Sequence, residues 1–248
     1  MEKIQNVYDN ADFFAEYKSM RDCKINANEL IEIPIMKQML PELEGKTILD
    51  LGCGEGGMSQ YFAEKGAKKV VGIDVSSNMI ASANAQNKHQ NVQYLQLAME
   101  ELPEITDKFD IVFSSLAFHY IEDFDLLIKN ISNLLNPNGI LLFSQEHPLV
   151  TAAIRVDGVP KYFDKEGKRF FILSDYNNIG KREISWNIDG VVKYHRNFEV
   201  VINAIANAGL MITEVRESKA SPEAIKLVDK YKYQKDKPYF VFFKAKKI

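Results

Sequence analysis

From Thr47 onward, short apolar runs alternate with segments whose apolar residues recur every three or four positions. This is the pattern of parallel strands joined by helices that cover both faces of a sheet. TILDL reads as the first strand, Gly56 to Lys65 as the helix after it, and KKVVGID as the second strand. The next helix, SSNMIASANAQNK, opens on Ser76 or Ser77 as N-cap and repeats apolar positions at Met79, Ile80 and Ala83. NVQYLQL, FDIVFSSL and GILLFSQ follow as strands three to five. A helix around Phe124 to Leu135 joins the last two and is stopped by Asn136-Pro137-Asn138-Gly139.

After the fifth strand the alternation breaks. Residues 146–193 hold scattered aromatics, glycines and charged turns such as DKEGKR with no clean period, which reads as an inserted cap. A helix from about Phe198 to Ala208 ends at Gly209. LMITEVRES and PYFVFFKAK then read as antiparallel strands at one sheet edge, with a short surface helix in SPEAIKLVDKYKYQ between them. Residues 1–44 are mostly helical in pattern and precede the first strand, so they are free to fold over a ligand site as a lid. The expectation is one α/β domain over 1–248, a doubly wound, mostly parallel, seven-stranded sheet. Its parts are a lid (1–44), a nucleotide-binding core (45–145), a cap (146–193) and a C-terminal helix with edge strands (194–248).

Composition narrows the class. With 248 residues, 46% hydrophobic and 26% charged, the chain can bury a full core. No apolar run approaches the ~18 residues of a spanning helix, and MEKIQNVYDNADFF lacks the apolar stretch of a signal peptide. The expectation is a cytoplasmic protein with no membrane insertion, a monomer or homodimer. Cys23 and Cys53 read as free thiols. A net charge of −3 offers no general attraction to phosphate backbones, so nucleic acid is not an expected partner.

The chemistry concentrates where the first strand runs into ILDLGCGEGG. Gly52, Gly54 and Gly57 have the G-x-G-x-x-G spacing that lets a backbone approach a nucleotide ligand. Asp74 ends the second strand 22 positions after Gly52 (74 − 52 = 22), where a carboxylate accepts hydrogen bonds from ribose hydroxyls; capping the following helix is its other reading. NAD and S-adenosylmethionine both carry that ribose, and charge separates them. Asp50 and Glu55 would repel a diphosphate, whereas a carboxylate beside the ammonium of a methionine is favourable. Asp50 therefore reads as the acceptor for that amino group, directly or through a water, or else as a strand-end aspartate capping its own turn.

ILDLGCGEGG, GIDVSSNMI, FDIVFSSLAFHYIED and LLNPNGILLFS, in this order and spacing, resemble the class I S-adenosylmethionine-dependent methyltransferases, especially the broad bacterial methyltransferase type 11 group. The resemblance spans Thr47 to Ser144 and implies the Rossmann-like methyltransferase fold. It implies Asp50, Gly52, Cys53 and Gly54 around the methionine, Asp74 on the ribose, Val75 and Met79 against the adenine, and Ser115 and Leu116 near the transferred methyl. One position departs: where the family has an aspartate before E-x-L-P, this chain has Ala98, so Met99 and Glu100 are left to read the adenine. Arg21, downstream of Tyr8 and Tyr17, is the candidate cation for the methionine carboxylate, with Tyr17 beside it and Tyr8 facing the acceptor.

Methyl transfer needs an acceptor lone pair held on line with water excluded, and a base where the acceptor carries a proton. His119, followed by Tyr120, comes after the fourth strand; Glu146-His147-Pro148 opens the cap; Tyr194-His195-Arg196 precedes the last long helix. His119, His195 and Glu146 are the candidate catalytic groups, and Tyr8, Tyr120, His147, Tyr194 and Arg196 the candidate acceptor contacts. Each has a plain alternative in loop anchoring or helix capping. Tyr162, Phe163, Phe170, Phe171, Tyr176 and Trp186 line an acceptor pocket or form the cap's own core. No spacing of ligands points to a metal. The expected activity is methyl transfer from S-adenosylmethionine to oxygen, nitrogen or carbon of a small molecule, leaving S-adenosylhomocysteine. The alternatives are an NAD-dependent oxidoreductase and a non-catalytic module that binds S-adenosylmethionine.

Overall fold

The structure, a computed structural model, describes residues 5–248 except 24, 154, 157, 158, 174, 187 and 236; the side chains of residues 11, 12, 17, 20–22, 155, 156, 159, 160, 171, 186, 188 and 189 also lie outside the description. A 3-10 turn, Val7–Asp9, precedes α1 (Ala11–Asp22), and a π turn, Asn28–Glu32, runs straight into α2 (Ile33–Met39). The core then alternates as the periodicity predicts: β1 (Thr47–Leu51), α3 (Gly57–Glu64), β2 (Lys69–Asp74), α4 (Ser77–Gln86), β3 (Val92–Gln96), β4 (Phe109–Ser114), α5 (Phe124–Leu134) and β5 (Leu135–Glu146). Ser76 is the N-cap of α4, its hydroxyl accepting the Met79 N–H at 3.2 Å.

Between β5 and the last long helix lie α6 (Pro148–Thr151) and three hairpins. These are β6 (Arg155–Val156) with β7 (Val159–Pro160), β8 (Tyr162–Lys165) with β9 (Lys168–Phe171), and β10 (Gly180–Trp186) with β11 (Ile188–His195). The chain closes with α7 (Phe198–Asn207), β12 (Leu210–Glu217), α8 (Pro222–Leu227), a 3-10 turn at Asp229–Gln234, and β13 (Phe240–Lys247).

The seven-stranded sheet runs β12-β13-β5-β4-β1-β2-β3. β1 to β5 are mutually parallel, while β13 is antiparallel to both of its neighbours. The two final strands thus pair as expected, with β13 inserted between β5 and β12. Successive strand residues face opposite sides of the sheet, and each side buries its own cluster. Leu49, Leu51 and Val71 pack with Leu127, Ile128 and Ile131 of α5 and Val201 and Ile205 of α7. Ile48, Val70 and Phe113 pack with Met36 and Met39 of α2 and Phe62 of α3 on the other. A smaller cluster joins Ile31 to Ala220, Ala224 and Tyr231, tying the N-terminal helices to the C-terminal segment.

One boundary differs from the sequence reading. Asn136–Gly139 does not separate helix from strand but lies inside β5, and the β4–β5 register shifts between Phe109 and Ile111 to accommodate it. Asn138 takes φ +63° there, a conformation asparagine tolerates because its short polar side chain bonds locally.

Candidate active site

Strand order reverses direction at β1, with β2 on one side and β4 on the other, and such a reversal leaves a crevice beyond the carboxyl ends of the strands. The glycine loop follows β1 into that crevice. Gly52 and Gly54 both have left-handed backbones, φ +68° and +53°. A Cβ on Gly52 would lie 2.7 Å from Cβ of Ala117 and 3.0 Å from Cε of Met99, whereas one on Gly54 would meet nothing within 4 Å. The loop is closed on one side and open on the other, a cradle for a ligand held against backbone.

Asp74 shapes the cradle. Its two carboxylate oxygens accept the N–H groups of Gly54 at 3.0 Å and Ser76 at 2.9 Å, and burial raises its pKa. Asp50 sits beneath, 2% exposed, accepting the Ser59 hydroxyl at 2.6 Å. Burial, with a smaller contribution from Asp74, pushes its carboxyl up to about 7.

The crevice opens into a cavity of about 690 Å³, within the range of small-molecule sites. Over β1 to β3 its wall includes Gly52, Gly54, Asp74, Val75, Met99 and Glu100, all expected. Ser115 and Leu116, directly after β4, continue it, and His119, Tyr120 and Glu146 line the part over β4 and β5. His119 is 4% exposed; burial drives its pKa down to about 3 against the pull of Glu146, so the imidazole is neutral. Its Nδ1 has no hydrogen-bond partner among the described residues. Lys193, which the sequence reading missed, donates to Glu146 at 2.6 Å from a side chain only 7% exposed. No local signal marks it, because it is a single lysine in an irregular segment.

Residues 5–9 run along this cavity and are fastened at both ends. Gln5 pairs through its amide with both backbone groups of Val192 on β11, at 3.0 and 2.7 Å. Asp9 accepts the Ser76 hydroxyl at 2.6 Å and the N–H groups of Ser77 and Asn78 at the start of α4. Tyr8, between them, lines the cavity as expected. Arg169, also on the cavity wall, lies between the rings of Tyr162 and Tyr233, 3.7 and 4.1 Å from their centroids, and so ties the β8–β9 hairpin to the C-terminal 3-10 turn.

Several expected contacts lie elsewhere. Asp50, Cys53 and Met79 are not among the lining residues. Asp50 is covered by the loop it supports, the Cys53 N–H is bonded to the Ile73 carbonyl at 2.9 Å, and Met79 is 1% exposed. Glu55 turns to α4, accepting the Ser82 hydroxyl at 2.6 Å. His147 caps α6 through Nδ1 and donates from Nε2 to Glu217 at 2.9 Å. His195, fully buried, bonds Thr151 at 2.6 Å and the Tyr176 carbonyl at 3.0 Å. Arg196 is spent on the backbone carbonyls of Phe118, Ile121 and Glu122, and Tyr194 is beside it rather than on the cavity. One cause covers His147, His195 and Arg196: a buried polar side chain must be paired, and the groups that the fold packs against these residues, among them the Glu217 carboxylate, the Thr151 hydroxyl and three backbone carbonyls, satisfy them before any ligand does. Among the aromatics between β5 and α7, Phe163 and Phe170 stack on each other at 5.0 Å on an exposed face, and neither they nor Tyr162 and Tyr176 line the cavity. Tyr17, Arg21, Phe171 and Trp186 carry expectations on side chains outside the described set.

The wall over β1 to β3 carries Asp74 and Glu100 and no lysine or arginine among the described residues, with the Asp50 carboxyl just below. That set of carboxylates fits the cationic sulfonium and ammonium of S-adenosylmethionine and opposes a dinucleotide's diphosphate. Fold and site together define a nucleoside-cofactor protein of the Rossmann-like class. A family model described as "Methyltransferase domain" matches residues 49–143. A solved S-adenosylmethionine dependent methyltransferase from Mesorhizobium loti is 33% identical with a TM-score of 0.80, covering 90% of this chain and 98% of that one. An uncharacterised protein of Haemophilus influenzae is 36% identical over 98% of this chain and 97% of its own length. A ubiquinone biosynthesis O-methyltransferase of Azorhizobium caulinodans is 34% identical over 42% of each chain. The chain belongs to the S-adenosylmethionine-dependent methyltransferases, and S-adenosylmethionine is its cofactor.

Proposed function

We propose that the chain methylates oxygen, nitrogen or carbon of a small molecule held over β4 and β5. The observation that carries this reading is the single cavity that joins the acidic nucleoside wall to a second wall bearing His119, Glu146 and Lys193. Asp74 binds the ribose hydroxyls, Gly52 and Gly54 give the methionine backbone contacts, and Asp50 stabilises the ammonium from below. Val75 and Met99 flank the adenine, with Glu100 accepting from its amino group in place of the side chain lost at Ala98. When bound, the cofactor supplies a methyl group on a positively charged sulfur, so no further activation of the donor is required.

The protein's remaining task is to orient an acceptor and keep water out. Ser115 and Leu116 flank the transfer point. His119, being neutral, accepts a hydrogen bond from the acceptor's O–H or N–H and aligns it. Glu146, held by Lys193, places a second hydrogen-bond acceptor on the same wall. Tyr8 and Tyr120 pack on the acceptor, and residues 5–10 with the β8–β9 and β10–β11 hairpins act as lid and cap. The named O-methyltransferase relative supports oxygen as the first atom to test.

Calorimetric titration with S-adenosylmethionine and with NAD is the first test: binding of the former alone is expected, and binding of NAD alone overturns the reading. The second follows release of S-adenosylhomocysteine with metabolite extracts. Tight cofactor binding with no product from any extract would leave a non-catalytic binding module instead.

A further inference from the structure

Leu116 has φ +50°, one of the positive values that Leu116, Asn138 and Glu166 show among the described non-glycine residues. A branched side chain disfavours that backbone, so the conformation persists only where surrounding bonds enforce it. The bonds are present. The Leu116 N–H is shared between the Ser144 hydroxyl at 3.0 Å and the Ser144 carbonyl at 3.2 Å. The Ser144 hydroxyl in turn donates to Oε1 of Glu32 at 2.5 Å, and the Ser115 hydroxyl donates to the same oxygen at 3.0 Å.

Glu32 is fully buried at the end of the π turn Asn28–Glu32, and π turns are frequent at functional positions. The residues at the start of that turn, Ala27 and Asn28, line the cavity, and Ile31 beside Glu32 is anchored on Ala224 and Tyr231. One carboxylate oxygen therefore fixes which way two serine hydroxyls point. With its proton committed to Glu32, Ser144 is left to accept, and the Leu116 N–H takes that place. Removing Glu32 frees both hydroxyls to rotate and withdraws the order that holds Leu116.

We propose that Glu32 is a positioning residue for methyl transfer: acting through Ser115 and Ser144, it fixes the Ser115–Leu116 turn against the methionine end of the cofactor. This rests on the reading above that S-adenosylmethionine lies with its methionine at that turn.

The test compares two probes that share the nucleoside wall but not the turn. S-adenosylmethionine reaches both; adenosine reaches only the wall over β1 to β3. Calorimetry on the full chain is expected to show that Glu32→Ala weakens S-adenosylmethionine about tenfold, the effect of losing a buried hydrogen-bonded support, while adenosine changes less than about twofold. Glu32→Gln is expected to restore S-adenosylmethionine binding to within about threefold of wild type, because its amide oxygen accepts both hydroxyls. Ser144→Ala, a gentler change, is expected to reproduce most of the Glu32→Ala loss and decides the matter if Glu32→Ala fails to fold.

Equal weakening of both probes, unchanged binding of S-adenosylmethionine to Ser144→Ala, or a Glu32→Gln as weak as Glu32→Ala would overturn the proposal. Wild type that binds neither probe would instead overturn the cofactor placement, and this inference with it.

Discussion

Asp50, buried beneath the glycine loop, and Asp74, on the cavity wall, are carboxyls whose pKa desolvation raises, Asp50 from the ordinary 3.8 to about 7. A folded pKa above the unfolded one means that the folded chain holds protons the unfolded chain has released. The stability that these two carboxyls contribute to the ligand-free protein should therefore fall as pH rises from about 4 to about 7, while the neutral, buried His119 acts in the opposite sense over that range. The difference in thermal melting between wild type and Asp50→Asn, followed across that range, should show the Asp50 share of the decline. In the proposed placement the cofactor's ammonium favours the ionised carboxyl and reverses the preference. Affinity for S-adenosylmethionine should accordingly increase from pH 6 to pH 8, by up to about tenfold per unit below the Asp50 pKa; a flat calorimetric profile would refute the assignment.

The histidines separate by the same reasoning. His119, with its pKa near 3, stays neutral from pH 5 to 9 and should leave no ionisation limb in the pH–rate profile. His119→Asn should slow turnover of an identified acceptor by about a hundredfold, with cofactor affinity unchanged. His195→Ala should instead cost about 1–3 kcal/mol of stability by stripping Thr151 and Tyr176 of a buried partner, with little change in turnover by the protein that remains folded. Denaturant melts and rate assays on the two variants would expose the assignments if the effects were exchanged.

Among the elements, the turn Val7–Asp9 matters beyond its length because Asp9 bonds the start of α4, where a carboxylate meets unpaired N–H groups and the positive end of the helix. Asp9→Ala should cost about 1 kcal/mol and raise amide exchange at residues 5–10 and 77–80. Protection unchanged at both places would show that the strap is held by other contacts. Its partners at the start of α4 lie 67 to 69 positions away, so no local pattern marked this contact. By contrast, α5 was legible: Phe124, Leu127, Ile128 and Ile131 fall on one face and are all buried. The glycine loop and Asp74 were legible too, because each lies at a strand end that the apolar runs already fixed. Asn136–Gly139 misled, since turn residues inside a shifted strand look the same as turn residues between elements.

For the whole molecule, the least periodic segment is joined to the rest by specific side chains. Arg169 between Tyr162 and Tyr233 is such a joint. Arg169→Ala should raise amide exchange across residues 162–171 while the strands of the central sheet keep their protection; uniform loss throughout the chain would mean that the hairpin and core unfold together.

The chain's own order of apolar and polar residues determined the parallel core, the glycine loop, the aspartate at the second strand's end and the cofactor class. Each depends on backbone geometry or charge within a few contiguous residues. Only the tertiary structure decided which polar side chains reach the cavity. Lys193 meets Glu146 across 47 positions and Glu32 meets Ser144 across 112, while His147, His195 and Arg196 are drawn away from the cavity by Glu217, Thr151 and the carbonyl of Ile121, 70, 44 and 75 positions off. That choice is a competition among buried donors and acceptors for partners, and its outcome depends on what packing brings within hydrogen-bond reach.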